Sequence, residues 1–422
     1  MDEGEALVFN AEKKGLACYK RFMRKALFTL ALASVAFGAD SRPKVRAVTA
    51  FVDIDAKGYA AQFDNTMRFL NGARDAYRRA GFEVETVRIV TQPFPRYTAG
   101  MKREEAVAFF HKLNDLAATS GFSLNIGTSM VNDSDDAAPN ALLAEVLSTG
   151  KINASLVIAG DDGIHWRALH EAAKVIKDIA QRSRGGEGNF NFAATAMVKP
   201  YGPFYPGAYH LGGGRAFAVG LEGASVVAEV FAQYHDPVEA EKRLSESLTK
   251  YMREAETVAT GVASSSGWTY AGIDPTPAPL GEVSIGRAME SFIGGPFGSS
   301  GTMTAARIIT AAVQSVPVKR TGYSGLMVPV LEDAVLAKRW AEGTYTIDSL
   351  LAYSAVCAGG LDTIPLPGDI SEEHIARILS DVASLAYKWK KPLAARLLPV
   401  PGKKAGDRTE FTDSRMGNTL IH

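Results

Sequence analysis

Apolar runs of strand type alternate with stretches whose apolar residues recur at helical spacing, and this alternation organises most of the chain. VRAVTAFVDI from Val45 predicts a strand, Phe63 to Arg79 a helix, FEVETVRIV from Phe82 a strand, and Glu104 to Leu116 a helix. The rhythm continues with a strand SLNIG at Ser123, a helix near Leu142, a strand SLVIAG at Ser155 and a long helix from Ile164 to Ile179. This β-α-β-α order predicts an α/β fold.

The middle of the chain is less regular. Strand-like segments at Phe190 to Val198 and Ala216 to Glu222 are joined by KPYGPFYPGAYHLGGG, whose prolines and glycines predict a long loop. A loop of that length inside a folded domain is functional or disordered, and Tyr201, Phe204, Tyr205 and Tyr209 argue against disorder. Beyond it the pattern predicts a helix from Pro237 to Thr257, a second Gly/Pro loop from Ser264 to Leu280, and helices at Val283 to Phe292 and Met303 to Val313. LMVPVLED, LLAYSAVCAGGLDTIPLPGD, a helix from Glu372 to Trp389 and AARLLPVPGKKAGD repeat the alternation to the end. No low-complexity tract, charge run, solenoid-period repeat or linker divides the chain.

The N-terminus departs from this pattern. Met23-Arg24-Lys25 precedes an apolar run from Ala26 to Phe37 and the small residues Gly38 and Ala39, the three parts of a secretion signal. About a dozen apolar residues fall short of the ~20 that span a bilayer as a helix. Asp2, Glu3 and Glu5 give residues 1–22 an acidic opening foreign to such a leader. The expected organisation is therefore a misassigned extension at 1–22, a signal peptide at 23–39 and a single domain at 40–422, periplasmic or secreted. Loss of the leader removes Cys18 and leaves Cys357 as the sole thiol, so no internal disulfide is expected.

With 46% hydrophobic and 22% charged residues in 422, the composition is that of a folded protein with a sizeable core. Lys plus Arg and Asp plus Glu are equal at 46 each, which gives no reason to expect nucleic acid or an anionic membrane as partner. A neutral small molecule or another protein fits this balance as well.

Several familiar signatures nearly occur. His170-Glu171-Ala172-Ala173-Lys174 has lysine where a helical zinc site needs its second histidine, so no metal site is expected there. Gly322-Tyr323-Ser324-Gly325-Leu326 lacks the last glycine of a nucleophile elbow. The glycines from Gly294 to Gly301 precede a helix without the lysine of a P-loop, and read as a cap or an anion site. Gly212-Gly213-Gly214 has Phe217 where a dinucleotide fingerprint needs glycine.

Five places remain as candidates. Cys357, before Ala358-Gly359-Gly360, is a thiol presented to a cavity or a buried small hydrophobe. His210 follows the aromatic loop, with Gly212 and Gly213 after it, and is a general acid or base or a histidine bonded to its own loop. Asp274 and Asp362 follow apolar strand-like residues, where a carboxylate faces a pocket or caps a turn. Lys403 is a partner for an anionic ligand or a solvated turn residue.

GPFYPGAYHLGGG (Gly202 to Gly214), GIDPTPAP (Gly272 to Pro279) and SAVCAGGLDTIPLPGD (Ser354 to Asp369) together resemble the domain of unknown function 711 family. The opening at Val45 to Asp55 and the ending at Arg396 to Phe411 resemble it too, so the likeness covers residues 45–411 in order. It implies an α/β barrel of about ten strands in two halves with helices outside, similar to that of pyruvate formate-lyase and ribonucleotide reductase. In those enzymes a cysteine on a loop inside the barrel forms a thiyl radical, and the resemblance makes Cys357 its counterpart. The partner loop of glycyl-radical enzymes is lacking: Arg320-Thr321-Gly322-Tyr323 is one residue short and precedes the cysteine. The expectation is an exported, non-radical enzyme acting on a small molecule inside the barrel, with catalytic Cys357, His210 and Asp274 and ligand-binding Asp362, Gly212, Gly213 and Lys403. A binding or sensory protein of the same fold is the alternative. No cofactor is assigned by any motif.

Overall fold

The computed structural model describes residues 42–279 and 283–422. The expected extension and signal peptide, with Cys18, lie outside these residues. Most predicted strands appear close to where periodicity placed them: β1 (Lys44–Val52), β2 (Val84–Thr91), β3 (Ser123–Thr128), β4 (Asn153–Gly160), the two-residue β5 (Gly163–Ile164), β6 (Phe192–Ala196), β7 (Ala216–Glu222), β8 (Thr269–Asp274), β9 (Gly360–Pro367) and β10 (Leu393–Val400).

Their order around the sheet is β8-β7-β1-β2-β3-β4-β6-β10-β9, with β5 pairing only to β4. Strands β1, β2, β3, β4 and β6 are parallel neighbours and form one half. In the other half β7 is parallel to β8 and β9 to β10. The halves meet antiparallel where β1 joins β7 and β6 joins β10. Between β8 and β9 the chain at 319–330 supplies the missing stave, with parallel bridges from Ile273 to Arg320 and from Pro329 to Asp362. The result is an α/β barrel of about ten staves in two halves, as the family likeness implied.

Helices cover the outside. The one at Trp166–Arg182 buries Leu169, Ala172, Ala173, Val175, Ile176 and Ile179, residues at helical spacing that form a single apolar face. Strand residues turned outward, such as Val87 and Ile89, share one core with these helices.

Two expectations are corrected. The stretch from Ser264 to Leu280, expected to be a loop, holds the end of the helix Pro237–Ser266 and all of β8. Gly272 misled the reading, because it sits within the strand at φ +145, where an added Cβ would meet the Lys319 carbonyl at 2.7 Å. A glycine inside a strand marks such a close backbone approach. The start of the predicted strand at Phe190 belongs instead to a 3-10 turn, Arg184–Asn191.

The long aromatic loop is a loop, but it runs through the barrel. Thr49 Oγ1 donates to the Pro203 carbonyl at 2.9 Å, Asn125 Nδ2 to the Pro206 carbonyl at 2.7 Å, and the Tyr205 hydroxyl to the Ile89 carbonyl at 2.6 Å. Phe204 and Tyr209 pack with Val157, Tyr323 and Ala358 in an interior cluster separate from the helix-facing core. Buried polar groups of the strands thus satisfy a buried loop, which makes such a placement tolerable.

Candidate functional site

Side chains alternate across a strand, so every second residue of a barrel strand points inward. On β2, Val87 and Ile89 face the helices, while Thr86 and Arg88 line the interior and Val90 packs against the loop. Arg46 on β1, Asp362 on β9 and Arg396 on β10 likewise line the interior. They surround a chamber of about 850 Å³ at the end where β2, β3 and β4 begin. Phe204, Tyr205 and Pro206 of the loop form its floor, with Met327 of the closing segment beside them.

Its wall is built of ion pairs. Arg396 is 7% exposed and donates through Nε to Asp362 and through Nη2 to Glu332. Its guanidinium also lies 5.0 Å from the centre of the Phe190 ring. Arg46 pairs with Glu85 at 3.0 Å and lies 3.8 Å from Glu222. Glu222 is 6% exposed, and its Oε2 is buried without a hydrogen-bond partner. Burial first, and then the neighbouring Glu85 carboxylate, push the Glu222 carboxyl up to about 8 against the opposing pull of Arg46. Arg88 is 9% exposed, and its Nε donates to Thr86 Oγ1 at 3.0 Å. Burial, followed by repulsion from Arg46, lowers it to about 10, which leaves it cationic at neutral pH.

The structure puts the residues proposed from sequence in different settings. Asp362 lies on the chamber wall. His210 lies at the opposite end of the barrel, fully buried, with Nδ1 accepting from the Gly212 N–H at 3.2 Å and 3.9 Å from Asp53. Burial outweighs the Asp53 charge and pushes it down to about 4, so it is neutral at physiological pH. Gly213 donates to Asp53 at 3.0 Å and lines a separate recess of about 350 Å³ at that end. Asp274 accepts four hydrogen bonds, from Thr276 Oγ1 and the N–H groups of Thr276, Tyr323 and Ser324. Burial raises its pKa to about 6, against those bonds.

Cys357 is 2% exposed within the helix-facing core, while its neighbour Ala358 packs in the interior cluster. Burial pushes its thiol up. Lys403 pairs with Glu410 at 3.1 Å on the surface. Cys357, His210 and Asp274 thus have no immediate hydrogen-bond partner in common among the described residues. Among those residues, no group of three His, Cys, Asp or Glu side chains is placed to hold a metal, and no helix is long and apolar enough to cross a membrane.

Sequence reading passed over Arg46, Glu85, Arg88, Glu222 and Arg396. The available signal was charge inside a strand: Arg46 in VRAVTAFV, Arg88 in FEVETVRIV and Arg396 in LAARLLPV interrupt runs that otherwise read as core. A charged residue is rarely buried unless paired or put to use.

A family model described as Uncharacterised ACR (DUF711) matches residues 39–413. A UPF0210 protein of Pyrobaculum aerophilum is 33% identical over 349 residues, covering 78% of this chain and 76% of the relative. One of Methanopyrus kandleri is 31% identical over 332 residues, covering 73% and 72%. Among solved structures, the anaerobic ribonucleotide reductase of Thermotoga maritima in complex with dATP and CTP is similar at a TM-score of 0.39 and 8% identity, over 84% of this chain and 75% of that one. By the extent of the family match and the identity of these relatives, this chain belongs to the DUF711 family.

Proposed function

We propose that the chamber is a small-molecule site at which the protein acts as an enzyme without a protein radical. The observation that carries this reading is the 850 Å³ space inside the barrel, a size suited to a metabolite, with charged and apolar groups on one wall. Glu85 lines it, and Glu222 stands behind Glu85 and Arg46 as a second, buried carboxyl. Glu222 holds a proton at neutral pH, whereas Glu85 faces the chamber in an ion pair with Arg46. A protonated carboxyl directly behind one that faces the chamber can hand its proton to it, so the pair serves as a proton relay to a bound molecule. Asp362 is the ligand-facing carboxylate on the opposite half. Against radical chemistry stand the interior loop at 199–214, which contains no cysteine, and the packing of Cys357 among helices.

Incubation with a metabolite extract, followed by mass spectrometry, is expected to show one compound consumed. Met327→Trp, which partly fills the chamber with an indole, should cut that consumption sharply. Glu222→Gln should slow it roughly 100-fold and remove the alkaline limb of its pH profile. Unchanged turnover in the filled variant would refute the reading, and a compound bound but returned intact would favour a binding protein.

The same reading includes export, on the pattern from Met23 to Ala39 alone. Mass spectrometry of the periplasmic or secreted protein should find a mature N-terminus near Ala39. An intact chain from Met1 in the cytosol would contradict it.

A further inference from the structure

We infer that the chamber receives an organic carboxylate of single negative charge, bound by the guanidinium of Arg88. This rests on the reading of the chamber as a small-molecule site and specifies what enters it.

The inference follows from how the buried charges on the wall are matched. Arg46 has Glu85, and Arg396 lies between Asp362 and Glu332. Arg88 has no carboxylate within 4.0 Å among the described residues, although it is as buried as Arg396. Its other contacts are with neutral groups: Thr86 Oγ1 at Nε, the Pro203 carbonyl 3.4 Å from Nη1, and the Tyr205 ring with its centre 4.9 Å away. Nη2 has no hydrogen-bond partner among the described residues, and the side chain lines the chamber. A buried cation without a counter-charge is costly to fold around unless something else supplies that charge. The flat fork of a guanidinium matches a carboxylate through two parallel hydrogen bonds.

The surroundings narrow the class. Glu85, Glu332 and Asp362 line the same chamber, so a second negative charge on the ligand would face carboxylates. A phosphate dianion on Arg88 is therefore disfavoured: among the described residues Arg88 is the buried cation of the wall without a carboxylate, Lys151 of the same lining being exposed, and one such cation calls for one anionic group. Phe204, Pro206, Met327 and Ala278 supply apolar surface beside Arg88, suited to an apolar body on the carboxylate.

The test uses the whole protein and simple probes. Crystals soaked in acetate should show the carboxylate seated on Nη1 and Nη2 of Arg88. In calorimetry phenylacetate should bind roughly 10- to 100-fold more tightly than its neutral counterpart 2-phenylethanol, the difference expected of a charge-assisted hydrogen bond. Inorganic phosphate should bind more weakly than phenylacetate. Arg88→Met should lose that advantage without a fall in Tm, because it replaces an unmatched buried charge by an apolar chain of similar length. Equal affinity for the acid and the alcohol, preference for phosphate, or undiminished phenylacetate binding by Arg88→Met would overturn the anion assignment and leave the small-molecule reading standing. A bare Arg88 in the soaked crystals, with neither aromatic probe bound, would overturn both.

Discussion

Arg396→Met is expected to destabilise the folded chain by about 3–5 kcal/mol at neutral pH, the usual loss when one member of a buried ion cluster is removed. Asp362, 3% exposed, and Glu332 would be left beside each other on the chamber wall with no cation between them. The sign of the pH dependence separates this cause from lost packing. Burial already raises the Asp362 carboxyl, and Arg396 is the first influence pulling it back. Without the arginine the folded-state pKa rises further above the unfolded value. The folded form then holds more protons than the unfolded one, and stability falls as pH climbs through that interval. Urea midpoints should therefore differ little from wild type near pH 4 and diverge steadily toward pH 7. A loss of equal size at both pH values would mean that packing, not charge, is the cause.

Gly322→Val should cost a similar amount, about 3–5 kcal/mol, by disrupting the closing segment. Gly322 has φ +67, and an added Cβ would lie 2.1 Å from Asp274 Oδ2. A β-branched residue pays of order 1–3 kcal/mol for that backbone conformation alone. The collision displaces the carboxylate that accepts from the Tyr323 and Ser324 N–H groups at 2.7 and 3.1 Å, and each buried donor left unpaired adds about 1–3 kcal/mol. Amide exchange at Tyr323 and Ser324 should quicken together with the drop in urea midpoint. A variant as stable as wild type, with those amides still protected, would show that Asp274 is not what anchors the segment.

These two sites show which parts of the molecule were legible in sequence. β1 and β2 were readable because Val45, Val48, Val87 and Ile89 form one continuous buried layer with the helices. β8 was not, since Gly272 serves an encounter with the chain at Lys319 that no local pattern encodes. The segment at 319–330 was only half visible: LMVPVLED from Leu326 read as part of the alternation, while the stretch before it forms its share of the stave through an isolated bridge and side-chain anchors instead of a regular ladder. Asp274 could be picked out as a special carboxylate, yet its four donors come from its own turn and from residues about 50 positions away. Local sequence cannot tell a carboxylate that faces a ligand from one that holds a backbone turn. Only Asp362 among the chosen side chains reaches the chamber wall, because its cationic partner on β10 is also turned inward.

The interior loop has a consequence for traffic. Pro203, Phe204 and Pro206 lie buried across the middle of the cylinder, so the space above them is a cul-de-sac. On the proposed reading of the chamber as a reaction site, a molecule arriving and one departing would share the opening between the first residues of β2 to β4 and the Arg396 cluster. Occupancy by either excludes the other, and any compound resembling what leaves will compete directly with what comes in.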